Sequence, residues 1–95
     1  MEDGRTGELL LAQEQFDEAE DVLRQALAIQ ERELGANHAQ TARTLGHLGD
    51  IQRLAGDTAR ARWYYEQALQ AYLTTHGDDH PRTRLVQARL SSLSS

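Results

Sequence analysis

Apolar residues recur at helical spacing along most of this chain. From Phe16 to Gly35, and again from Asn37 to Gly56, they are separated by alternating steps of three and four residues, which place them on one face of a helix. The segments 57–77 and 79–94 follow the same pattern. Ala, Leu, Gln, Glu and Arg dominate the composition, and there is a single proline. These are helix-forming residues, so the pattern predicts an all-α protein.

Five helices are predicted. The first is weakened by glycine and is expected to be firm only from about Gly7 to Gln13, followed by a tight turn at residues 14–16. The second runs from Phe16 to a stop at Gly35, because a glycine readily adopts the left-handed conformation that ends helices. Equivalent stops are predicted at Gly56 and Gly77.

Polar residues at the start of the later helices predict their N-caps. Asn37 is expected to cap the third helix, with Gln40 in the capping-box position. Asp57 is expected to cap the fourth, and Asp79 or His80 the fifth. Pro81 suits the first turn of that last helix, where a missing N–H has no effect.

The chain contains an internal repeat with a period of 42 residues. Residues 25–41 and 67–83 match at Gln25/Gln67, Ala26/Ala68, Leu27/Leu69, Gly35/Gly77, His38/His80 and Thr41/Thr83. A period in this range is typical of stacked helical repeats, whose units bury their apolar faces against neighbours. The predicted organisation is one domain, with repeat 1 at about residues 1–35, repeat 2 at about 37–77 and a trailing half-repeat or capping helix at about 79–94.

Small and aromatic residues indicate how the helices pack. Gly46 and Gly49 inside the third helix disfavour it by about 2 kcal/mol, so a neighbouring helix is expected to approach closely there. Packing between repeats is the favoured role of the aromatic cluster, and an exposed patch for a partner is the alternative. This cluster comprises Trp63, Tyr64, Tyr65 and Tyr72.

A family resemblance follows from the small and large residues of the second repeat. Leu48, Gly49, Ala61, Tyr65 and Ala68 resemble the pattern of tetratricopeptide repeats. The longer period and the loop Gly-x-x-His-Pro/Ala-x-Thr are similar to the kinesin light chain subtype. The resemblance implies a short right-handed α-solenoid of about two and a half repeats. It also implies a non-enzymatic module that binds a peptide or protein partner in a concave groove lined by the first helix of each repeat.

The resemblance also implies which residues line that groove. They are Glu8, Leu11, Arg43, His47, Asp50, Arg53, Leu85, Arg89 and Ser92. Arg43 and Arg53 are ten residues apart, close to three helical turns, so they share one face. Guanidinium groups on a concave face suit an acidic peptide. The alternatives are a solvated polar face, or pairing between arginine and aspartate within the groove.

Catalytic and metal chemistry are not indicated. His76, Asp78, Asp79 and His80 form the one group with metal-ligand chemistry, and capping of the loop explains them better than Zn²⁺ or Ni²⁺. Serines concentrate at residues 91–95 with no base nearby, so no nucleophile–base pair is apparent. We therefore expect no enzyme activity, no cofactor and no metal.

Charge is distributed unevenly along the chain. Residues 1–35 carry ten acids and three arginines, a net charge of -7, while residues 36–95 carry five and seven, a net charge of +2. This balance argues against nucleic-acid binding. No apolar run reaches the length of a membrane span, there is no cysteine, and the cytoplasm is the expected location. Because an incomplete stack leaves its end repeats open, self-assembly into a homodimer or head-to-tail oligomer is the alternative function, compatible with peptide binding.

Overall fold

The computed structural model describes the backbone of residues 3–94 and the side chains of residues 15–93. Its helices are α1 (Asp3–Glu33), α2 (Ala39–Leu54), α3 (Thr58–Thr75) and α4 (Pro81–Ser94), and this part of the chain contains no strand. Helices α2 and α3 form the most extensive packing pair, α1 packs on α2, and α4 packs on α3. The predicted all-α architecture is confirmed over these residues.

The first two predicted helices are one. Where a turn was expected at residues 14–16, α1 continues without interruption from Asp3 to Glu33, so residues 3–94 contain four helices and not five. The physical reason lies in the sequence Ala-Gln-Glu-Gln-Phe at 12–16, which has neither glycine nor proline to break a helix. Ala, Gln and Glu are among the strongest helix formers, so local propensity favours continuation.

Three glycines end α1, α2 and α3 as predicted. Gly35, Gly56 and Gly77 have φ values of 95°, 89° and 84°, a conformation that residues with a Cβ rarely adopt. The first and third are equivalent across the 42-residue period. The amide of Gly35 donates to the carbonyl of Gln30 at 3.1 Å, and that of Gly77 donates to Tyr72 at the same distance.

The helix caps partly differ from the prediction. The N-cap of α2 is His38, whose Nδ1 accepts from the amide of Gln40 at 3.1 Å, so the prediction of Asn37 was wrong. Imidazole can cap a helix in the same way as a carboxylate, because an unprotonated ring nitrogen is an acceptor. His80 repeats this arrangement before α4, accepting from Arg82 at 3.2 Å. Asp57 caps α3 as predicted, accepting from Arg60 at 3.1 Å.

The core lies between α2, α3 and α4, with α1 closing one side. Its buried apolar residues are Ala42, Leu45, Leu48, Ala61, Tyr64, Tyr65, Ala68, Ala71, Tyr72 and Val86. Leu23 and Leu27 of α1 and Leu90 and Leu93 of α4 pack against it while remaining partly exposed. The predicted apolar faces of α2 and α3 thus form the centre of the fold.

The two glycines inside α2 have different surroundings. A Cβ at Gly49 would lie 2.7 Å from two ring carbons of Tyr65, which confirms that α3 approaches closely there. A Cβ at Gly46 would meet no atom within 4 Å, so the same explanation is wrong for that position. Gly46 instead faces open space in the groove described below.

One aromatic residue lies outside the predicted core. Tyr64, Tyr65 and Tyr72 are buried, whereas Trp63 is 54% exposed. Its ring meets that of Tyr64 edge to face, with centroids 5.2 Å apart. Trp63 precedes the buried Tyr64 by one residue, so the helical period places it at the edge of the buried face of α3.

Candidate functional site: the groove between α2 and α4

A concave groove lies between α2 and α4 and has α3 as its floor. Its lining residues are Arg43, Gly46, His47 and Asp50 of α2, Tyr65 and Tyr72 of α3, and Arg82, Leu85, Val86 and Arg89 of α4. The cavity volume is about 60 Å³. This is well below the roughly 300–1,000 Å³ of a typical small-molecule pocket, so the groove suits a small side chain and not an enclosed ligand.

The floor of the groove is apolar and firmly packed. Tyr65 and Tyr72 are almost fully buried, and Val86 is buried beside them. Leu85, in contrast, is 52% exposed at the rim. Gly46 adds no side chain, so it keeps the α2 side of the groove open.

Asp50 is the electrostatic centre of the site. Its carboxylate accepts a hydrogen bond from the hydroxyl of Tyr65 and lies 3.7 Å from Nε of Arg89. A guanidinium nitrogen of Arg53 lies 3.9 Å from the same carboxylate, and Nε of Arg53 donates to the Tyr65 hydroxyl at 3.3 Å. Three elements, α2, α3 and α4, are therefore joined at one carboxylate.

This network changes the protonation of its members. Burial raises the pKa of Tyr65, and the hydrogen bond to Asp50 raises it further, so the phenol is held in its neutral form. The hydrogen bond to Tyr65 raises the pKa of Arg53. Tyr65 is therefore fixed as a donor to Asp50, and Arg53 remains a cation held against it.

The remaining charges of the groove are open to solvent. Arg43 on α2 and Arg82 on α4 are exposed, and His47, one turn after Arg43 on α2, is exposed as well. Three arginines and one aspartate among the lining residues give a formal charge of +2 with histidine neutral. The groove is thus a basic surface in a protein whose total charge is -5.

Most of the predicted groove residues that the structure describes lie together. Arg43, His47, Asp50, Leu85 and Arg89 line the groove. Arg53 lies at its edge through its contacts with Tyr65 and Asp50, and the predicted Ser92 is not among the lining residues. The predicted Glu8 and Leu11 lie outside the residues whose side chains are described. The alternative of arginine–aspartate pairing within the groove also occurs, at Asp50.

Five lining residues were not predicted as part of the groove, namely Gly46, Tyr65, Tyr72, Arg82 and Val86. Arg82 lies one turn before Leu85 on the same face of α4, so helical spacing from Leu85 and Arg89 was a signal that pointed to it. Tyr65 and Tyr72 were assigned to the core alone. They are buried, yet the edges of their rings reach the groove, and no pattern in the sequence distinguishes these two roles.

A second depression lies on the other side of the molecule between α1 and α3. Leu27, Leu45, Trp63 and Tyr64 contribute to it. Arg24 of α1 reaches Tyr64 there, and this hydrogen bond raises the pKa of Arg24. Residues of α1, α2 and α3 all line the depression, and Trp63 is its exposed edge.

The loop before α4 shows ring stacking. The rings of His76 and His80 stack with centroids 4.0 Å apart, and Tyr72 stacks on His76 at 5.9 Å. Among the described residues, no group of three or more His, Cys, Asp or Glu side chains is placed to hold a metal ion. Over the same residues, no helix has both the length and the apolar character that crossing a membrane requires.

Comparison with known proteins bears on the fold and the class of function. The family model described as tetratricopeptide repeat matches residues 4–74, well over half of the chain. A comparison with curated proteins finds no match. The matched segment contains α2 and nearly all of α1 and α3, while α4 lies beyond it.

Proposed function

Because this chain belongs to the tetratricopeptide repeat family, we propose that it binds an acidic peptide or an acidic segment of a partner protein in the groove between α2 and α4. Repeats of this family form a non-catalytic fold that generally mediates protein–protein interaction. The kind of partner is inferred from the groove itself.

The observation that carries this proposal is the placement of two exposed arginines on opposite sides of an apolar floor. Arg43 extends from α2 and Arg82 from α4, and both line the same groove. Their guanidinium groups can each donate two parallel hydrogen bonds to a carboxylate. A peptide lying along the groove would therefore place acidic side chains at both rims.

The other lining residues restrict where those acidic groups can lie. Asp50 is already compensated by Arg53, Arg89 and the Tyr65 hydroxyl, so the deepest part of the groove offers no free positive charge. A carboxylate placed there would face Asp50 and be repelled. The floor instead suits a small apolar side chain beside Leu85 and Val86, flanked by acidic residues.

A paired charge reversal tests the groove. We expect Arg43→Glu combined with Arg82→Glu to weaken binding of a fluorescent glutamate-rich peptide at least about tenfold, because each lost bidentate contact is a charge-assisted hydrogen bond. Fluorescence anisotropy would measure the affinity. Raising the salt concentration should weaken the wild-type affinity, since these charges are exposed.

A matched control separates the groove from total charge. Arg62→Glu combined with Arg84→Glu makes the same change in net charge at exposed positions that do not line the groove. These substitutions are expected to leave the affinity within about twofold, since distant exposed charges are screened. If both double variants weakened binding equally, or if a lysine-rich peptide of the same length bound as well, the groove would not be the site.

Self-association is a second candidate function, and a specific observation favours it. Val22 and Ile29 on α1 are 65% and 50% exposed although both are large and apolar. Exposed apolar residues of this size on one helix face are typical of contact surfaces. Peptide binding and self-association would use different faces of the molecule and are compatible.

A further inference from the structure

The outer face of α1 is an open packing surface. Val22 and Ile29 are seven residues apart, so they lie on the same side of the helix. The residues 42 positions later are Tyr64 and Ala71, which are only 7% and 1% exposed in the second repeat. Positions that belong to the core in one repeat are therefore open to solvent in the other.

A row of polar residues runs along one side of this apolar pair. Glu18, Gln25 and Arg32 are also spaced by seven residues, and all three are exposed. The row is acidic at one end, neutral in the middle and basic at the other end. Among the described residues, neither Glu18 nor Arg32 forms an ion pair.

We propose that α1 pairs with α1 of a second copy of this chain, in an antiparallel arrangement about a two-fold axis near Gln25. Val22 then packs on the partner's Ile29, and Glu18 lies beside the partner's Arg32. Because of the two-fold symmetry, each of these contacts occurs twice in the dimer. This pairing rests on the self-association proposed above and specifies its surface and partner.

The row of charges selects the antiparallel direction. In an antiparallel pair, the same flank of each helix lies along the other helix, and the two sequences run in opposite directions. Glu18 of one copy therefore lies beside residue 32 of the other. Glu18 and the partner's Arg32 attract each other, and Gln25 meets its own neutral copy. In a parallel pair, Glu18 would lie level with the partner's Glu18 and Arg32 level with the partner's Arg32. The match between opposite charges would then be lost.

The second flank of the apolar pair also fits a close helix contact. Ala19, Ala26 and Glu33 lie there, again at steps of seven residues. In the antiparallel pair Glu33 lies beside the small side chain of the partner's Ala19, and Ala26 lies beside the axis. The acids Asp17 and Glu20 lie on the other side of the helix, where copies do not meet.

The opposite end of the molecule is less suited to such a contact. The outer side of α4 exposes Arg84, Gln87 and Ser91. Their equivalents 42 residues earlier are Ala42, Leu45 and Gly49, and all of these are buried. A second copy is therefore expected at α1 and not at α4.

Sedimentation at several concentrations, with a charge exchange, tests this pairing. The wild-type chain is expected to show a concentration-dependent monomer–dimer equilibrium. Ile29→Glu should weaken dimerisation about 100-fold, since it places a charge in both halves of the apolar contact. Glu18→Arg alone should weaken it about tenfold, and Glu18→Arg combined with Arg32→Glu should restore it, because the exchanged charges attract again.

Two controls keep the outcomes distinct. Leu54→Glu alters a different exposed apolar residue, 60% accessible at the end of α2, and should leave the equilibrium unchanged. Circular dichroism should show equal helix content in every variant, since all altered side chains are exposed. A chain that stays monomeric at every concentration would overturn self-association altogether. A dimer that ignores Ile29→Glu, or that the double exchange does not rescue, would leave self-association standing and overturn the α1 surface. Neither result would bear on peptide binding in the groove.

Discussion

Individual residues set how closely the helices of this protein approach. Gly49 and Tyr65 form the tightest contact between α2 and α3, where the ring occupies the space that a Cβ would need. The same tyrosine donates to Asp50 and accepts from Arg53. One side chain thus packs the centre of the fold and orients the charges of the groove.

The two glycines of α2 are expected to respond to alanine in opposite directions. Gly49→Ala should destabilise the protein by about 1–2 kcal/mol, because forcing the Tyr65 ring aside outweighs the gain in helix propensity. Gly46→Ala should stabilise it by about 0.5–1 kcal/mol, since the added methyl meets no neighbour. Urea unfolding followed by circular dichroism measures both.

Gly46→Ala also provides an internal check on the groove. Its methyl would project into a cavity of only about 60 Å³, so peptide affinity should fall while stability rises. A destabilising effect of Gly46→Ala would show that the position is crowded, in disagreement with the open space around it.

At the scale of the helices, the 42-residue period appears as repeated capping chemistry. His38 and His80 each accept from the amide two residues further along, and a glycine with positive φ precedes each of them by three residues. Thr41 follows, and its hydroxyl donates to the carbonyl of Gly35 at 2.9 Å. In each loop between repeats, a glycine ends one helix and a histidine three residues later caps the next helix.

The histidine cap of α4 makes stability depend on pH. Partial burial, together with the positive charges of His76 and Arg82, lowers the pKa of His80 below its ordinary value of about 6.5. Since the folded state favours the neutral ring, this contribution to stability is fully present above that value and is lost as the pH falls through the lowered pKa. The melting temperature should therefore fall as the pH is lowered from 7 towards 5.

Substitution of the cap isolates this effect. His80→Asn keeps a side-chain acceptor for the amide of Arg82 but does not titrate in this range. Thermal unfolding of this variant should show a flatter dependence on pH than the wild type. An equally steep profile in both proteins would assign the loss to other groups.

Helix ends and faces were largely predictable from the sequence, whereas the connection inside α1 was not. Stops at Gly35, Gly56 and Gly77 follow from backbone chemistry that acts locally, so the sequence reveals them. The turn expected at residues 14–16 had no glycine or proline to enforce it. The groove residues on α2 and α4 were implied by the family resemblance, and helical spacing placed Arg43 and Arg53 on one face. The part of Tyr65 depends on contacts between helices, which neither describes.

The whole molecule is longer than a compact chain of its size. Its radius of gyration is 14.9 Å and its extents are 52 × 33 × 19 Å, whereas about 12 Å is typical of a compact domain of 95 residues. The continuous α1 explains the difference, because 31 residues of helix span about 46 Å. Folding α1 back on itself would remove most of the excess.

Small-angle X-ray scattering tests this shape. The variant Ile29→Glu is the suitable sample, since weakened dimerisation leaves the monomer to be measured. We expect a radius of gyration close to 14.9 Å. A value near 12 Å would show that the first part of the chain folds back on residues 16–33, as the repeat pattern alone predicts.

The unlike ends of the molecule have a consequence for the size of any assembly. If copies pair through α1 as proposed above, they use one side of the molecule, because the outer face of α4 exposes the polar Arg84, Gln87 and Ser91. Once two copies have joined through that side, both outward surfaces are polar. A third copy then has no apolar face to pack against. Such a particle would stop growing at two chains, with its two basic grooves left free to take a doubly anchored ligand at far lower concentration than either groove would need alone.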